Sequence, residues 1–329
     1  MTEKAGVGRL LRGMLLSLTV AGAVEDSHLV PEHLAARRYH RSMRWLATLL
    51  LAAGVADARV ACAGVEVRDD YGQPVALAAP AQRIVSLAPH LTELLYAAGA
   101  GGQVVGALEH SDFPPRAAQL PRVGSEAAID LEAVIALRPD LVVAWPNAGS
   151  RRAVERLASL PLAVFRSEPR ELDQIAATLE RFGILAGTEL EARRAAEAFR
   201  ERVRELRTRY SGRRTVRVFY QVWDRPLLTV NGEHIISKVM QLCAGENVFA
   251  RLPLIAPEID REAVLRADPE VIVSSGASLE GWRALGGISA VKNDQLYSIA
   301  PALLQRHTPR LLDGAEQLCA ILERVRARS

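Results

Sequence analysis

One segment of this chain occurs twice. Ile129-Asp130-Leu131-Glu132-Ala133-Val134, running on to Pro139 and Leu141-Val142-Val143, recurs as Ile259-Asp260-Arg261-Glu262-Ala263-Val264, Pro269 and Val271-Ile272-Val273. Each copy reads as a helix, a turn and a buried strand, so the chain must build two half-structures on one plan. In both copies the Asp is placed to cap the helix, and the Glu two residues on lies in the first turn. On one isolated helix such a Glu only steadies the helix start, an effect of about 0.3–1 kcal/mol. Its recurrence at the same place in two halves points Glu132 and Glu262 toward a docking role.

The residues around the repeat extend this plan. Ile84 to Leu87 reads as a strand, Leu91 to Ala98 as a helix stopped by Gly99, and Leu141 to Trp145 as a buried strand. Arg151 to Leu160, Leu162 to Phe165 and Leu172 to Leu185 continue as helix, strand, helix. From Thr188 to Tyr210 there is no Pro or Gly, and Ala192, Ala196, Phe199, Val203, Leu206 and Tyr210 recur every three or four residues, the pattern of one long amphipathic helix. Strands and helices then resume: Thr215 to Gln221, Ile235 to Cys243, Asp260 to Ala267, Val271 to Ser274, Gln295 to Ile299 and Pro309 to Arg328. The expected fold is α/β: two Rossmann-like lobes with mainly parallel sheets, residues 64–187 and 212–329, joined by one long rigid helix over 188–211. Val65 to Val75, with Asp69-Asp70-Tyr71-Gly72 at its turn, reads as a short hairpin decorating an edge.

Residues 1–63 differ from the rest. After Met43 come Arg44, an apolar run from Trp45 to Val55, and the small residues Ala56-Asp57-Ala58 and Ala61-Cys62-Ala63, the layout of a secretory signal. Met43 is the expected start, and the run is shorter than the roughly 20 residues of a membrane span. Val60-Ala61-Cys62 also carries the small residues of a lipidation site, although Arg59 stands where an aliphatic residue is usual. Export leaves Cys243 and Cys319 as a pair in an oxidising compartment, and a disulfide between them is expected. With 41 basic and 38 acidic residues spread along the chain there is no stripe for phosphates, which argues against a nucleic-acid partner.

Arg83-Ile84-Val85-Ser86-Leu87-Ala88-Pro89-His90-Leu91-Thr92-Glu93-Leu94-Leu95, Ser111-Asp112-Phe113-Pro114-Pro115 and Pro139-Asp140-Leu141-Val142-Val143-Ala144-Trp145 together resemble the cobalamin-binding proteins of bacterial ABC importers. The likeness continues through Thr229-Val230-Asn231-Gly232, Cys243-Ala244-Gly245-Glu246-Asn247-Val248-Phe249 and Pro309-Arg310-Leu311-Leu312. It implies a periplasmic, monomeric binding protein that captures cobalamin or a related corrinoid between two lobes and hands it to a two-fold inner-membrane permease. No cofactor beyond the transported ligand is implied. The wider fold family also carries haem and ferric siderophores, which is the alternative ligand class.

Carried over residue by residue, the resemblance makes Glu132 and Glu262 the acids that meet permease arginines, and Cys243 and Cys319 the family's disulfide. Trp145 matches an aromatic lining the corrin site, offering a flat apolar face and one donor. Trp223, after the first strand of the second lobe, is expected at the facing rim. His110 stands where the family usually has tyrosine, and Phe113 replaces a second one. An imidazole there either reaches the axial face of a bound metal or packs on the macrocycle edge, and the reading favours packing. Glu126 and Ala256 stand where well-known relatives have tryptophans, which opens the wall or makes it more polar. Arg306 precedes the terminal helix at the expected crevice edge and would contact a propionamide or phosphate or else remain a surface arginine. Trp282, Phe199 and Phe249 are assigned to packing.

No enzyme is expected. Gly99-Ala100-Gly101-Gly102 lacks the third glycine of a dinucleotide fingerprint and follows a helix, and there is no P-loop or nucleophile elbow. The seven histidines are scattered without metal-ligand spacing. A chelatase acting on a tetrapyrrole through His110 is the competing class, and it would need an acid–base partner there.

Overall fold

The computed structural model describes residues 64–147 and 149–328. The expected export segment, the expected start at Met43 and Cys62 therefore lie outside the described residues. The chain opens with β1 (Val65–Arg68) and β2 (Pro74–Leu77), an antiparallel hairpin. It is more than a decoration. Val67 and Val75 are buried in the main core, Asp69 pairs with Arg166 at 2.7 Å and Asp70 with Arg181 at 2.6 Å. The alternation of the hairpin turns its apolar face inward, and its acidic turn is tied down by arginines of the lobe behind it.

The first lobe contains β3 (Ile84–Leu87), α1 (Pro89–Ala97), β4 (Val104–Ala107), α2 (Leu131–Ala136), β5 (Leu141–Ala144), α3 (Arg151–Ala158), β6 (Ala163–Arg166) and α4 (Leu172–Ala186). The long helix α5 (Glu189–Tyr210) follows. The second lobe contains β7 (Val216–Gln221), α6 (Ile235–Leu242), β8 (Gly245–Asn247), α7 (Arg261–Ala267), β9 (Val271–Ser274), α8 (Glu280–Arg283), α9 (Ser289–Lys292), β10 (Leu296–Ser298), α10 (Pro301–Leu304) and α11 (Leu311–Arg328). Each lobe has a four-stranded parallel sheet, ordered β4-β3-β5-β6 in the first and β10-β9-β7-β8 in the second. The two copies of the repeat are α2 with β5 and α7 with β9.

Strand periodicity explains why both faces of each sheet must be covered. Along β5, Leu141 and Val143 join one core while Val142 and Ala144 join another; along β9, Val271 and Val273 face one core and Ile272 a second. Such unbroken apolar runs suit parallel strands between helical layers. One core passes through both lobes: Ile84, Phe165 and Phe182 connect through Ala192, Ala196, Phe199 and Leu206 on α5 to Val216, Tyr220 and Leu318. A shared core along α5 gives the joint between lobes the close packing of a domain interior, where sliding is costly. Lys238 on α6 adds an ion pair to Glu171 at the start of α4, at 2.8 Å. Cys243, just past α6, is bonded to Cys319 on α11 with an S–S distance of 1.99 Å, both residues fully buried. Among the described residues no helix is long and apolar enough to cross a membrane.

Candidate functional site

Parallel strands point their carboxyl ends the same way, and ligands in such folds bind at those ends. Here β3 leads into Pro89 and His90, β5 into Trp145 and β7 into Val222, and all four residues line one cavity of about 450 Å³ between the lobes. His110 and Glu126 complete the first lobe's wall. Across from them stand His234, Ile236, Pro301, Ala302, Gln305, Arg306 and His307. The volume falls within the roughly 300–1,000 Å³ typical of small-molecule sites.

Buried polar contacts fix the first lobe's wall. The Thr92 hydroxyl on α1 is hydrogen-bonded to the Ser86 hydroxyl at 2.9 Å and to the Ser111 hydroxyl at 3.1 Å, tying the helix that carries His90 to the loop that carries His110. Arg122 donates to the carbonyls of Leu108, Ser111 and Ala118 at 3.0, 3.2 and 3.0 Å and so holds that loop. His110 sits at φ 62°, a left-handed conformation that a non-glycine residue keeps only when its surroundings impose it. The carbonyl of Trp145 accepts from the Ser150 hydroxyl at 2.5 Å.

Three histidines from different elements meet in the crevice. His90 lies 5.8 Å from His307, ring centre to ring centre, and His307 lies 5.9 Å from His234; the rings of His90 and Trp145 stand nearly perpendicular with their centres 5.4 Å apart. His90 is buried, while His234 and His307 are half-buried at the wall. The Nδ1 of His234 accepts from the Ile236 backbone N–H at 3.2 Å, which leaves the proton on Nε2. The Nε2 of His90 has no hydrogen-bond partner. Burial, with help from the Arg306 charge, pushes His90 down to about 3. Burial alone takes His234 down to about 4, and burial with its two histidine neighbours holds His307 well below the usual imidazole range. The three rings are therefore neutral at physiological pH. No group of three His, Cys, Asp or Glu side chains among the described residues is arranged to hold a metal ion.

Beside them the lobes are clasped by charge. Arg306 donates through Nη1 to Glu93 and to Asp112, each at 2.7 Å, and through Nη2 to the His110 carbonyl at 3.0 Å. Arg310 also donates to Glu93, at 3.3 Å, while its guanidinium lies 3.9 Å above the Phe113 ring. Glu93 is buried, with a side chain only 3% exposed, so its charge depends on these two arginines.

Residues 84–308 match the family described as periplasmic binding protein. The chain belongs to that family. It is 39% identical over 248 residues to the vitamin B12-binding protein of Vibrio cholerae, covering 74% of this chain and 90% of that one. The crystal structure of the Vibrio cholerae periplasmic vitamin B12 binding protein superposes with a TM-score of 0.70 at 38% identity, covering 75% of this chain and 98% of that one. A periplasmic haem binding protein from Pseudomonas aeruginosa shares the fold alone, at 24% identity and a TM-score of 0.62, over 73% and 92% of the two chains.

Within this family framework the sequence-predicted site residues divide. Trp145, His110 and Glu126 line the cavity as expected, and Arg306 lines it too, but its guanidinium is engaged by protein acids and is no free surface group. Phe113 is off the wall: it is 40% exposed, with the Arg310 guanidinium over its ring. Trp223 is off it as well: it is 59% exposed, and its indole N–H donates to the Arg225 carbonyl at 3.1 Å, which holds the ring over its own turn. Ala256 lies outside the lining. Trp282, Phe199 and Phe249 pack in the core. Glu132 and Glu262 stand exposed in the first turns of α2 and α7, capped by Asp130 and Asp260, and neither makes an ion pair among the described residues. Sequence reasoning missed His90, His234 and His307. The only local signals were that His90 follows the Pro that opens α1 and that His307 adjoins Arg306.

Proposed function

We propose that this chain is exported to the periplasm, captures cobalamin or a closely related corrinoid in the cavity between its lobes, and delivers it to an ABC permease in the inner membrane. The observation that carries the reading is the 39% identity to a vitamin B12-binding protein across nearly all of that relative's length. The interlobe cavity supports it by placing Trp145, a flat aromatic of the kind that suits a macrocycle, on its wall at the ends of β3, β5 and β7. The same relatives, which are binding proteins by name, support binding over catalysis. The shared core along α5 favours modest closure over a wide hinge motion, and the chain is expected to act as a monomer.

Delivery is assigned to the repeated helices. Glu132 and Glu262 occupy equal positions on two similar lobes, so they can meet equivalent arginines on a two-fold permease dimer. One turn further on, Ile135 and Leu265 are 47% and 37% exposed, again at equal positions. Each lobe thus offers a carboxylate beside an apolar side chain, which suits a partner with basic residues and apolar neighbours.

Titration of protein recovered from the periplasm with cyanocobalamin, haemin and a ferric siderophore, followed by calorimetry and visible absorbance, tests the ligand. Cyanocobalamin is expected to bind, and Trp145→Ala to weaken it several-fold without loss of fold. Binding of haemin in its place would transfer the assignment to the haem class. The imidazoles of His90 and His110 on the wall make that the second reading.

A further inference from the structure

The crevice wall carries a chemical preference of its own. His90, His234 and His307 come from α1, the start of α6 and the segment before α11, and no part of the proposed binding mode above uses them. We infer that this histidine wall reads the uncharged carboxamides on the rim of a corrinoid and rejects macrocycles that present carboxylates there. The inference rests on the corrinoid reading and specifies which feature of that ligand class the site recognises.

Hydrogen-bonding capacity is the first support. A neutral imidazole offers one donor and one acceptor, and a carboxamide offers both in return, so a ring with both nitrogens free can satisfy an amide in either orientation. His90 is 7% exposed, lines the cavity and has an Nε2 with no protein partner. A polar atom buried in this way is costly unless something satisfies it, and a small shift of the ring on the cavity wall would bring it to a ligand group. His234 is fixed as an Nε2 donor by the Ile236 N–H on its other nitrogen.

Charge is the second. Among the described residues that line the cavity, the acidic and guanidinium side chains are Glu126 and Arg306. Arg306 and Arg310 are balanced by Glu93 and Asp112, two cations against two acids. Glu126 is left over, with no ion pair among the described residues. A carboxylate entering here would lose water, find neutral rings and meet a like charge, with no unbalanced cation to compensate. The low imidazole values noted above agree, since rings that resist protonation cannot supply that cation.

The test compares ligands that differ in one group. Cyanocobalamin, each of its monocarboxylic acids in which one peripheral propionamide is hydrolysed, and haemin are titrated into periplasmic protein at about pH 7.5. Cyanocobalamin is expected to bind, at least one monocarboxylate to bind five or more times more weakly, and haemin to bind more weakly still. His90→Phe, which keeps the ring volume and removes both nitrogens, is expected to lose about tenfold in cyanocobalamin affinity with little change in Tm. If every monocarboxylate binds within fivefold of cyanocobalamin, or if haemin binds as tightly, the amide-reading wall is wrong while the corrinoid assignment stands. Unchanged affinity in His90→Phe likewise removes His90 from ligand contact. If haemin binds and cyanocobalamin does not, both readings fall. The arms on the unaltered protein decide the matter even if the variant folds poorly.

Discussion

Charging any of the three crevice histidines puts a cation near Arg306 and Arg310, where Glu93 and Asp112 are already engaged and Glu126 is the remaining acid of the wall. An unfolded imidazole titrates near 6.5, whereas folded His90 is pushed down to about 3 and His234 to about 4. Between these values the unfolded chain binds more protons than the folded one, so stability falls with falling pH. The contribution is complete above about pH 6.5 and is lost progressively as the pH drops toward 4. Thermal melts between about pH 7 and 4.5 should show Tm falling, and His90→Phe should flatten that slope. A Tm independent of pH over this range would contradict the assignment of neutral rings. Trp145 was legible in the sequence because it follows a buried strand directly, whereas the histidines were not. Nothing local links residues 90, 234 and 307 until three elements bring their rings within 6 Å.

At the scale of elements, α2 and α7 repeat in structure as they do in sequence. Asp130 and Asp260 accept from the N–H groups of Ala133 and Ala263 at 2.9 and 2.6 Å, so the caps do not need the neighbouring glutamates. The double change Glu132→Ala with Glu262→Ala should therefore cost little stability and leave cyanocobalamin affinity intact. It should abolish ligand delivery in vesicles reconstituted with the permease, and each single change should reduce it. Normal transport by the double variant would return both glutamates to helix-start residues. The pair α6 and α11 is joined by Cys243 and Cys319 across a sequence separation of 76 residues. Reduction should lower stability by about 2–5 kcal/mol in chemical denaturation, with cyanocobalamin binding retained below the new midpoint. The hairpin of β1 and β2 shows where element-level reading fell short. Its alternation and turn were visible, but its arginine partners lie about a hundred residues away in sequence.

For the whole molecule the deciding feature is how the two lobes are held. The core along α5 fixes one side of the crevice, and the Glu93, Arg306 and Arg310 cluster fixes the other. Glu93→Gln would leave two guanidinium groups with Asp112 as their nearest acid. Breaking a buried pair by removing one partner typically costs about 3 kcal/mol or more. Denaturation should show a loss near the lower figure, because both arginines keep some contact with water. The same variant should release cyanocobalamin faster, since the crevice is less firmly closed. An unaltered stability and release rate would mean that the cluster does not hold the lobes.

Periodicity, caps and the internal repeat were sufficient to derive two α/β lobes, the joining helix and the strand after which Trp145 stands, because each is set by residues within a few positions of one another. Compartment and cysteine count likewise led to the Cys243–Cys319 bond. Which side chains face the crevice was decided by tertiary structure. Arg306 was drawn into a clasp by acids on the opposite lobe, Arg310 came to lie over the Phe113 ring, and three distant histidines were gathered onto one wall. Orientation and pairing of this kind depend on contacts between residues that are far apart in the chain, and no local pattern encodes them.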